Sequence, residues 1–342
     1  MIAIHNSQSG FHPRWVDYCQ THNIPHKIVD GLANDIIDQL RGCDAFMWHY
    51  SHDVATDLRI APVVLHAAEQ MGLVTFPDYQ TRVTFDNKVA QKYLLEALGL
   101  PLARSWVFND LTSALEWIET TTFPKVFKLA GGAGSGNVQL VRSAGDARKL
   151  CRKMFSKGIT TRPTSIANIT RDFRKARKSS KLMAKLGRAP RTLLRIWRAK
   201  RSLPRHIDYA YFQEFIPDAD HDTRIVVLGD DKAIALQRFP VEGDFRCSGS
   251  GDFTYDITKV DPECVRVSFE AQKLLKTQTV ALDFVRTPEG KQVLVETSYG
   301  FSTGPYDACE GYWDSNLVHH SEREWLPEHV IVDVIRERTR DH

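Results

Sequence analysis

The stretch Phe123-Pro124-Lys125-Val126-Phe127-Lys128-Leu129-Ala130-Gly131-Gly132-Ala133-Gly134-Ser135-Gly136, followed at once by Val138-Gln139-Leu140-Val141, decides the fold. Lys125 to Leu129 reads as a strand, Gly131 to Gly136 as a glycine loop and Val138 to Val141 as the returning strand, so the unit is a hairpin. A dinucleotide fold or a Walker P-loop steps from strand into helix instead, and the Gly-Lys-Ser/Thr ending of the latter is absent. Glycines still let backbone N–H groups approach a phosphate without side-chain collision. Lys128, on the strand that enters the loop, adds a compact positive charge.

Upstream, short apolar runs alternate with amphipathic ones: Met1 to His5, Trp15 to Cys19, Lys27 to Val29, Ile36 to Leu40, Ala45 to Trp48, Ala61 to Met71 and Val74 to Phe76. Alternating strand and helix predicts a parallel sheet flanked by helices. Its ligand side would lie at the carboxyl ends of the strands, near Asn6, Ser7, His49, His52 and Asp53. With no third ligand in view, His49 and His52 read as polar loop residues or substrate contacts rather than a metal site. A helix is expected after Phe85, with Asp86 as N-cap, Val89, Tyr93 and Ala97 on one face, and Gly99 and Pro101 as its stop. Trp106 to Phe108 reads as a strand and Ser113 to Glu119 as a helix.

Downstream, strands are expected at Tyr211 to Ile216, Arg224 to Leu228, Lys232 to Gln237, Thr279 to Val285 and Gln292 to Glu296, with a helix at Val265 to Leu275. Between the halves, residues 171–205 hold 14 Lys/Arg against the lone acid Asp172. That segment carries +13, which leaves −10 on the rest of a chain of net charge +3. A basic arm on an acidic body points to an anionic partner or to a solvated insertion. Phe173, Leu182, Met183, Leu186, Leu193, Leu194, Ile196 and Trp197 are interleaved with the cations, as in a helix lying on an anionic bilayer or a polyanionic glycan. No nucleic-acid reading motif accompanies them, so nucleic acid is not the expected partner.

The composition bounds the rest. With 342 residues, 42% hydrophobic and 25% charged, the chain can divide a large core among two or three lobes. No run reaches the roughly 18 apolar residues of a spanning helix, and the N-terminus lacks the order of a signal peptide, so the expected location is the cytoplasm, with peripheral contact at the inner membrane surface. Six cysteines without a CxxC pair read as reduced thiols, and redox chemistry is not expected.

Asp283 and Glu296 each follow an apolar strand. A buried pair of acids needs a partner, either a salt bridge or a hard cation with oxygen ligands such as Mg²⁺. Taken in order, Asp86-Asn87-Lys88, the Phe123–Lys128 strand with its glycine loop, Phe212-Gln213-Glu214-Phe215-Ile216-Pro217, Asp222-Thr223-Arg224, Arg238 with Gly243-Asp244-Phe245-Arg246, and the acids Asp283 and Glu296 resemble the ATP-grasp superfamily. The likeness runs from about Phe85 to Pro305 and is nearest the branch of glutathione synthetase and the ribosomal-protein glutamate ligase.

That resemblance implies an α/β (α+β ATP-grasp) chain: a parallel-sheet N-terminal domain at 1–84, an ATP-grasp small lobe at 85–210 with the basic insertion at about 160–206, a C-terminal lobe at 211–320 and a tail at 321–342. It implies an ATP-dependent, ADP-forming carboxylate–amine ligase working through an acyl phosphate. Lys88 and Lys128 would hold ATP phosphates beneath a loop that includes Gly132, Gly134, Ser135 and Gly136. Gln213, Glu214, Phe215 and Ile216 would line the adenine, with Asp218 or Asp220 near the ribose. Asp283 and Glu296 would bind Mg²⁺, or Mn²⁺ in its place. Arg224 and Arg246 would face the transferred phosphoryl group, with Arg238 as the third catalytic arginine. The family's usual Glu-x-Asn is here Glu296-Thr297-Ser298, which makes Ser298 a weaker metal ligand and places a second metal in doubt.

Aromatics and glycines from Tyr299 to Tyr306 and at Gly311-Tyr312-Trp313 suit a sugar or amino-acid cleft, against plain packing of a terminal segment. The substrates expected are a small carboxylate and an amine, for instance an amino acid joined to a uronic-acid-containing surface-glycan precursor; a homodimer is compatible with such an enzyme. Two rivals are a kinase for a polyanionic small molecule on the same fold and a non-catalytic nucleotide-dependent binder of membrane or nucleic acid.

Overall fold

The computed structural model describes residues 1–132, 137–161, 204–241, 243–247 and 252–340, and among these three large sheets and one two-stranded ribbon divide the chain. The first sheet has the order β2-β1-β3-β4 with every pairing parallel. It is built from β1 (Ile2–His5), β2 (His26–Val29), β3 (Ala45–Met47) and β4 (Val74–Phe76). Its connections are α1 (His12–Thr21), α2 (Ile36–Leu40) and α3 (Ala55–Gln70), and α4 (Tyr79–Arg82) leads out of β4. β1, β3 and β4 are buried throughout, as expected where helices cover a parallel sheet.

Next comes α5 (Lys88–Ala97), whose N-cap is Asn87, the side chain accepting from Ala90 N, and not Asp86. Its buried face is Lys88, Gln91 and Leu95; Tyr93, placed on the inner face by the sequence pattern, is half exposed. Polarity misleads here because Gln91 is buried by hydrogen bonding. Its amide donates to the Thr84 and Thr297 carbonyls at 3.0 and 2.8 Å and accepts from Thr297 N at 3.3 Å.

The small lobe is an antiparallel sheet, β5-β10-β6-β7, made of β5 (Ser105–Phe108), β6 (Lys125–Lys128), β7 (Val138–Val141) and β10 (Ala210–Glu214). It packs on α6 (Leu111–Thr120) and α7 (Ala144–Met154), which are capped by Asp110 and Ser143. The short strands β8 (Ile159–Thr160) and β9 (Arg205–His206) pair where the chain leaves for the basic insertion and returns. Residues 162–203, and with them nearly all of that insertion, lie outside the described residues. Tyr211 to Glu214, assigned from sequence to the C-terminal lobe, hydrogen-bond between β5 and β6 and so belong to the small lobe.

The third sheet runs β15-β14-β11-β12-β16-β17, with β13 (Phe253–Thr254) on β12. Its strands are β11 (Asp222–Leu228), β12 (Lys232–Arg238), β14 (Thr279–Arg286), β15 (Gln292–Ser298), β16 (Tyr312–Trp313) and β17 (His319–His320). Both faces are covered. Val226, Leu228, Ile234, Leu236 and Ala281 join the core of the N-terminal domain, whereas Ile225, Val227, Ala233, Ala235, Leu282 and Phe284 pack beneath α8 (Pro262–Leu275). This is the period-two alternation of a strand buried on two sides.

The last segment, read as a tail, is α9 (Pro327–Arg338), whose Val330, Ile331, Val332 and Ile335 are buried in the first core. It is an integral helix because its apolar face closes the gap between α1 and β11.

The N-terminal domain and the third sheet are locked together by Gln278, which is 1% exposed. Its side chain accepts from Asp78 N at 2.9 Å and donates to the Thr75 carbonyl at 2.7 Å, while its own N–H reaches Thr81 Oγ1 at 2.8 Å. Replacing Gln278 by Ala strands two buried backbone groups, so a loss of about 2–4 kcal/mol is expected. Denaturant titration of Gln278→Ala checks this, and a midpoint equal to wild type would contradict it.

Candidate active site

One face of the third sheet changes character along its strands. The side that sends Val226 and Leu228, Leu236 and Ala281 into the core carries Asp222 and Arg224, Arg238 and Asp283 at its other end. Register places Arg224 opposite Asp283, Asp283 opposite Glu296, and Asp222 opposite Arg238. Arg224 grips Asp283 bidentately through Nε at 2.6 Å and Nη2 at 2.7 Å. Arg238 grips Asp222 in the same way, at 2.6 and 2.7 Å, and reaches Asp283 Oδ2 at 2.8 Å.

Two guanidiniums and two carboxylates thus balance inside the protein, as buried charge requires. Burial alone would lift the Asp283 carboxyl, but Arg224 and Arg238 outweigh it and hold the group far below the usual range. Asp222 goes the other way: burial raises its pKa, and Arg238 offsets this only in part.

Above this quartet stand the two lysines. Lys88 Nζ, at the start of α5, lies 2.9 Å from Glu296 Oε1 and donates to the Gly132 carbonyl at 3.0 Å. Lys128 Nζ donates to the Val295 carbonyl at 3.1 Å. Burial lowers the Lys128 ammonium to about 8, with Lys88 adding to the effect and Glu296 opposing it. Burial would raise Glu296, yet Lys88 and Lys128 together bring it below its ordinary value.

Between the small lobe and the third sheet these groups border a cleft of about 280 Å³. Val126, Val138, Phe215, Ile216, Val285 and Val295 wall one part of it; Lys128, Asp222, Arg238, Arg246, Asp283 and Glu296 line the other. An apolar slot continuous with a charged end suits a flat base joined to phosphates. The donor set also fits a hard divalent ion. Asp283, paired with Arg224 and Arg238, and Glu296, paired with Lys88, offer carboxylate oxygens from adjacent strands, and among the described residues no three His, Cys, Asp or Glu side chains form a complete cage. Such an ion would need phosphate oxygens to complete its shell, which is the habit of Mg²⁺.

Most residues singled out from sequence meet here. Lys128, Gln213, Glu214, Phe215, Ile216, Arg238, Arg246, Asp283 and Glu296 line the cleft, Lys88 pairs with Glu296, and Arg224 with Asp283. Arg246 is held by Asp244 at 2.6 and 2.8 Å and donates to the Val138 carbonyl at 3.3 Å, joining its loop to β7. Ser298 shares the Glu296 face of β15 and accepts from Gly300 N at 3.1 Å. Gly132 has φ +93°, and a Cβ there would run into Asn137, so glycine is required. Gly134, Ser135 and Gly136 lie outside the described residues.

Asp220 is turned to solvent and bonds His221 at 2.7 Å; Asp218 is the acid on the cleft wall. The aromatic rim expected after the metal acids is absent from the cleft: Tyr299, Phe301 and Tyr306 are each 2% exposed and Trp313 9%, packed into the cores. His49 is half-buried at the edge of the first core, stacked on Phe11 with ring centroids 3.7 Å apart and accepting from Phe11 N at 3.2 Å.

Sequence reading missed two roles. Asp222 anchors Arg238, for which its place two residues before Arg224 on the same strand face was the available signal. Asp86, with φ +51°, accepts from Gly132 N and so braces the glycine loop rather than capping the helix.

No family profile matches the chain. A curated relative, the Probable alpha-L-glutamate ligase of Marinobacter nauticus, is 27% identical over 116 residues, a stretch that is 34% of this chain and 38% of that protein. The match therefore spans well under half the length of that relative. Among solved structures, D-cycloserine synthetase DcsG superposes with a TM-score of 0.60 at 12% identity, covering 99% of both chains. A RimK domain protein ATP-grasp from Sphaerobacter thermophilus gives 0.59 at 15% identity over 98% of this chain and 100% of that one. ATP-grasp ligase PsnB complexed with a minimal precursor, Mg and ADP gives 0.53 at 14% identity over 99% and 98%. The chain has the ATP-grasp fold that the sequence resemblance implied. No helix among the described residues is long and apolar enough to cross a membrane.

The lowered pKa of Lys128 has a definite sign. Between about 8 and the ordinary lysine value of about 10.4, the unfolded chain holds a proton that the folded chain has released, so this group adds stability as pH rises through that window. Its positive charge falls over the same range, and if Lys128 holds a nucleotide phosphate the affinity falls with it. Nucleotide titrations at pH 7 and pH 9 are expected to show weaker binding at pH 9, and Lys128→Met should bind poorly at both pH values while melting higher than wild type at pH 7. A lower melting temperature for Lys128→Met would contradict the assignment.

Proposed function

We propose that this protein is an ATP-dependent carboxylate–amine ligase that forms an amide through an acyl phosphate. The observation that carries the reading is the convergence of Lys88, Lys128, Asp283 and Glu296 on one cleft with an apolar slot beside it. Transfer of a phosphoryl group to a carboxylate brings anions together, so their charge must be neutralised before the atoms approach.

In this reading Lys88 and Lys128 hold phosphate oxygens, and the slot beside Phe215 and Ile216 takes the adenine. Asp283 and Glu296 would hold Mg²⁺, or Mn²⁺ in its place, which would supply positive charge against the phosphates; with Ser298 as a weak third donor, one ion is favoured over two. The substrate carboxylate oxygen attacks the γ-phosphorus and ADP leaves. The amine nitrogen then attacks the acyl carbon, inorganic phosphate leaves, and the amine gives up a proton. Arg224, Arg238 and Arg246 supply the fixed positive field on that side, preorganised by Asp283, Asp222 and Asp244. The names of the similar proteins, a glutamate ligase, a D-cycloserine synthetase and a peptide-acting ligase, favour amide formation over phosphorylation of a hydroxyl.

For the acceptor we infer a polyanionic or membrane-surface molecule, such as a uronic-acid-containing glycan precursor. The charge of residues 171–205 supports this, and the buried aromatics of the C-terminal lobe do not contribute to it.

Hydroxylamine can replace the amine and trap an acyl phosphate. Incubation with MgATP, hydroxylamine and a panel of amino acids and uronic acids is expected to yield hydroxamate and ADP with one acid, and Glu296→Gln to lower the rate by at least about 100-fold, the scale of losing one preorganised electrostatic group. ADP without hydroxamate under every acid would point to the kinase instead.

A further inference from the structure

Beyond strand β6 the backbone from Ala130 to Gly132 leaves the sheet, since the last β7-side bond is Leu129 N to the Asn137 carbonyl at 3.1 Å. This is where the glycine loop begins, and its polar groups are tied from two sides. On the α5 side, Lys88 N donates to the Ala130 carbonyl at 2.9 Å, Lys88 Nζ to the Gly132 carbonyl, and Gly132 N to the Asp86 carboxylate.

On the other side, Ala130 N donates to the Tyr209 hydroxyl at 2.7 Å. Tyr209 OH lies 2.8 Å from His206 Nδ1, and His206 Nε2 lies 2.8 Å from Thr161 Oγ1. Thr161 Oγ1 in turn donates to the Pro204 carbonyl at 3.4 Å. These contacts can run in one direction, amide to phenol, phenol to imidazole, imidazole to threonine and threonine to backbone, which assigns the His206 proton to Nε2. The imidazole's pKa is lowered by burial and then by Lys88. Thr161 also approaches the loop directly, because a Cβ on Gly132 would stand 3.0 Å from Thr161 Cγ2.

We propose that Tyr209 is a positioning residue for the nucleotide phosphates, acting through the Ala130–Gly132 backbone and itself oriented by His206. The inference rests on the nucleotide reading of the cleft. The phenol ring packs against the small-lobe core and phenylalanine can keep that packing. Only the hydroxyl reaches Ala130 N, which has left the β-ladder and otherwise loses its bond. A peptide that can rotate no longer holds Gly131 and Gly132 in one place beside Lys88, and a phosphate loses by that where a carboxylate or amine bound elsewhere in the cleft does not.

The test is calorimetric titration of MgADP into wild type, Tyr209→Phe, His206→Leu and His206→Asn, with melting temperatures measured in parallel. Tyr209→Phe and His206→Leu are expected to bind about tenfold more weakly, the scale of one net hydrogen bond. His206→Asn, whose amide oxygen can accept in place of Nδ1, is expected to stay within about threefold of wild type. In turnover, the Tyr209→Phe defect should appear in KM for ATP and leave KM for the carboxylate unchanged.

Wild-type affinity in Tyr209→Phe overturns the proposal. So does a loss in His206→Asn equal to that in His206→Leu, which would mean the site needs only the ring's bulk. Failure of wild type itself to bind MgADP would overturn the nucleotide reading first, and this inference with it.

Discussion

Buried charge in this protein must be matched to within one sheet face, and that requirement organises the cleft. The face of the third sheet that packs on the N-terminal domain is apolar at one end and charged at the other. Arg224, Arg238, Asp222 and Asp283 are all largely buried, so each needs partners with good geometry, and the antiparallel register supplies them. A one-residue slip of β11 against β14 would turn Arg224 and Asp222 to the α8 side, among Ala235, Leu282 and Phe284 of the neighbouring strands, and would turn Ile225 and Val227 away from it. The same alternation that builds the two cores therefore aligns the charged row.

The lysine end of the cleft follows different electrostatics. There Lys88 pairs with Glu296 and Lys128 bonds the Val295 carbonyl while feeling the same carboxylate, so the end of the cleft keeps an excess of cation beside a partly exposed acid. Burying the Lys128 ammonium costs stability in the free protein, and its depressed pKa, set first by that burial, is the signature. An anionic ligand relieves the cost, which is how a site can be selective for phosphate without being stable for its own sake.

The lobes come together through polar groups that satisfy backbone atoms across the joints. Gln278 fastens the N-terminal domain to the third sheet, and Gln91 fastens α5 to β15 and so sets Lys88 against Glu296. Both are buried amides whose two ends are used, which makes them specific about relative placement in a way that apolar packing is not. Asp86 and Tyr209 do the same on a smaller scale for the start of the glycine loop.

Much of this was legible in the chain itself. Period-two runs and turn residues marked every long strand and most helices, because those signals arise from local geometry and from the need to bury one face. The order of Lys88, the Lys128 strand with its glycines, Glu214 to Ile216, Arg224, Arg238, Asp283 and Glu296 marked an ATP-grasp arrangement. Local pattern could not say that Tyr211 to Glu214 completes the small lobe, since strand partners there are about a hundred residues away. Nor could it say that Asp86 braces a loop, that Tyr299 to Tyr306 form core rather than cleft, or that Asp222 anchors Arg238. Residue type and spacing determined which elements form and which side chains can do chemistry. Which charges face each other, and which polar groups are spent on holding the frame, was decided only by tertiary packing, because a buried hydrogen bond or ion pair is defined by a partner that sequence distance does not reveal.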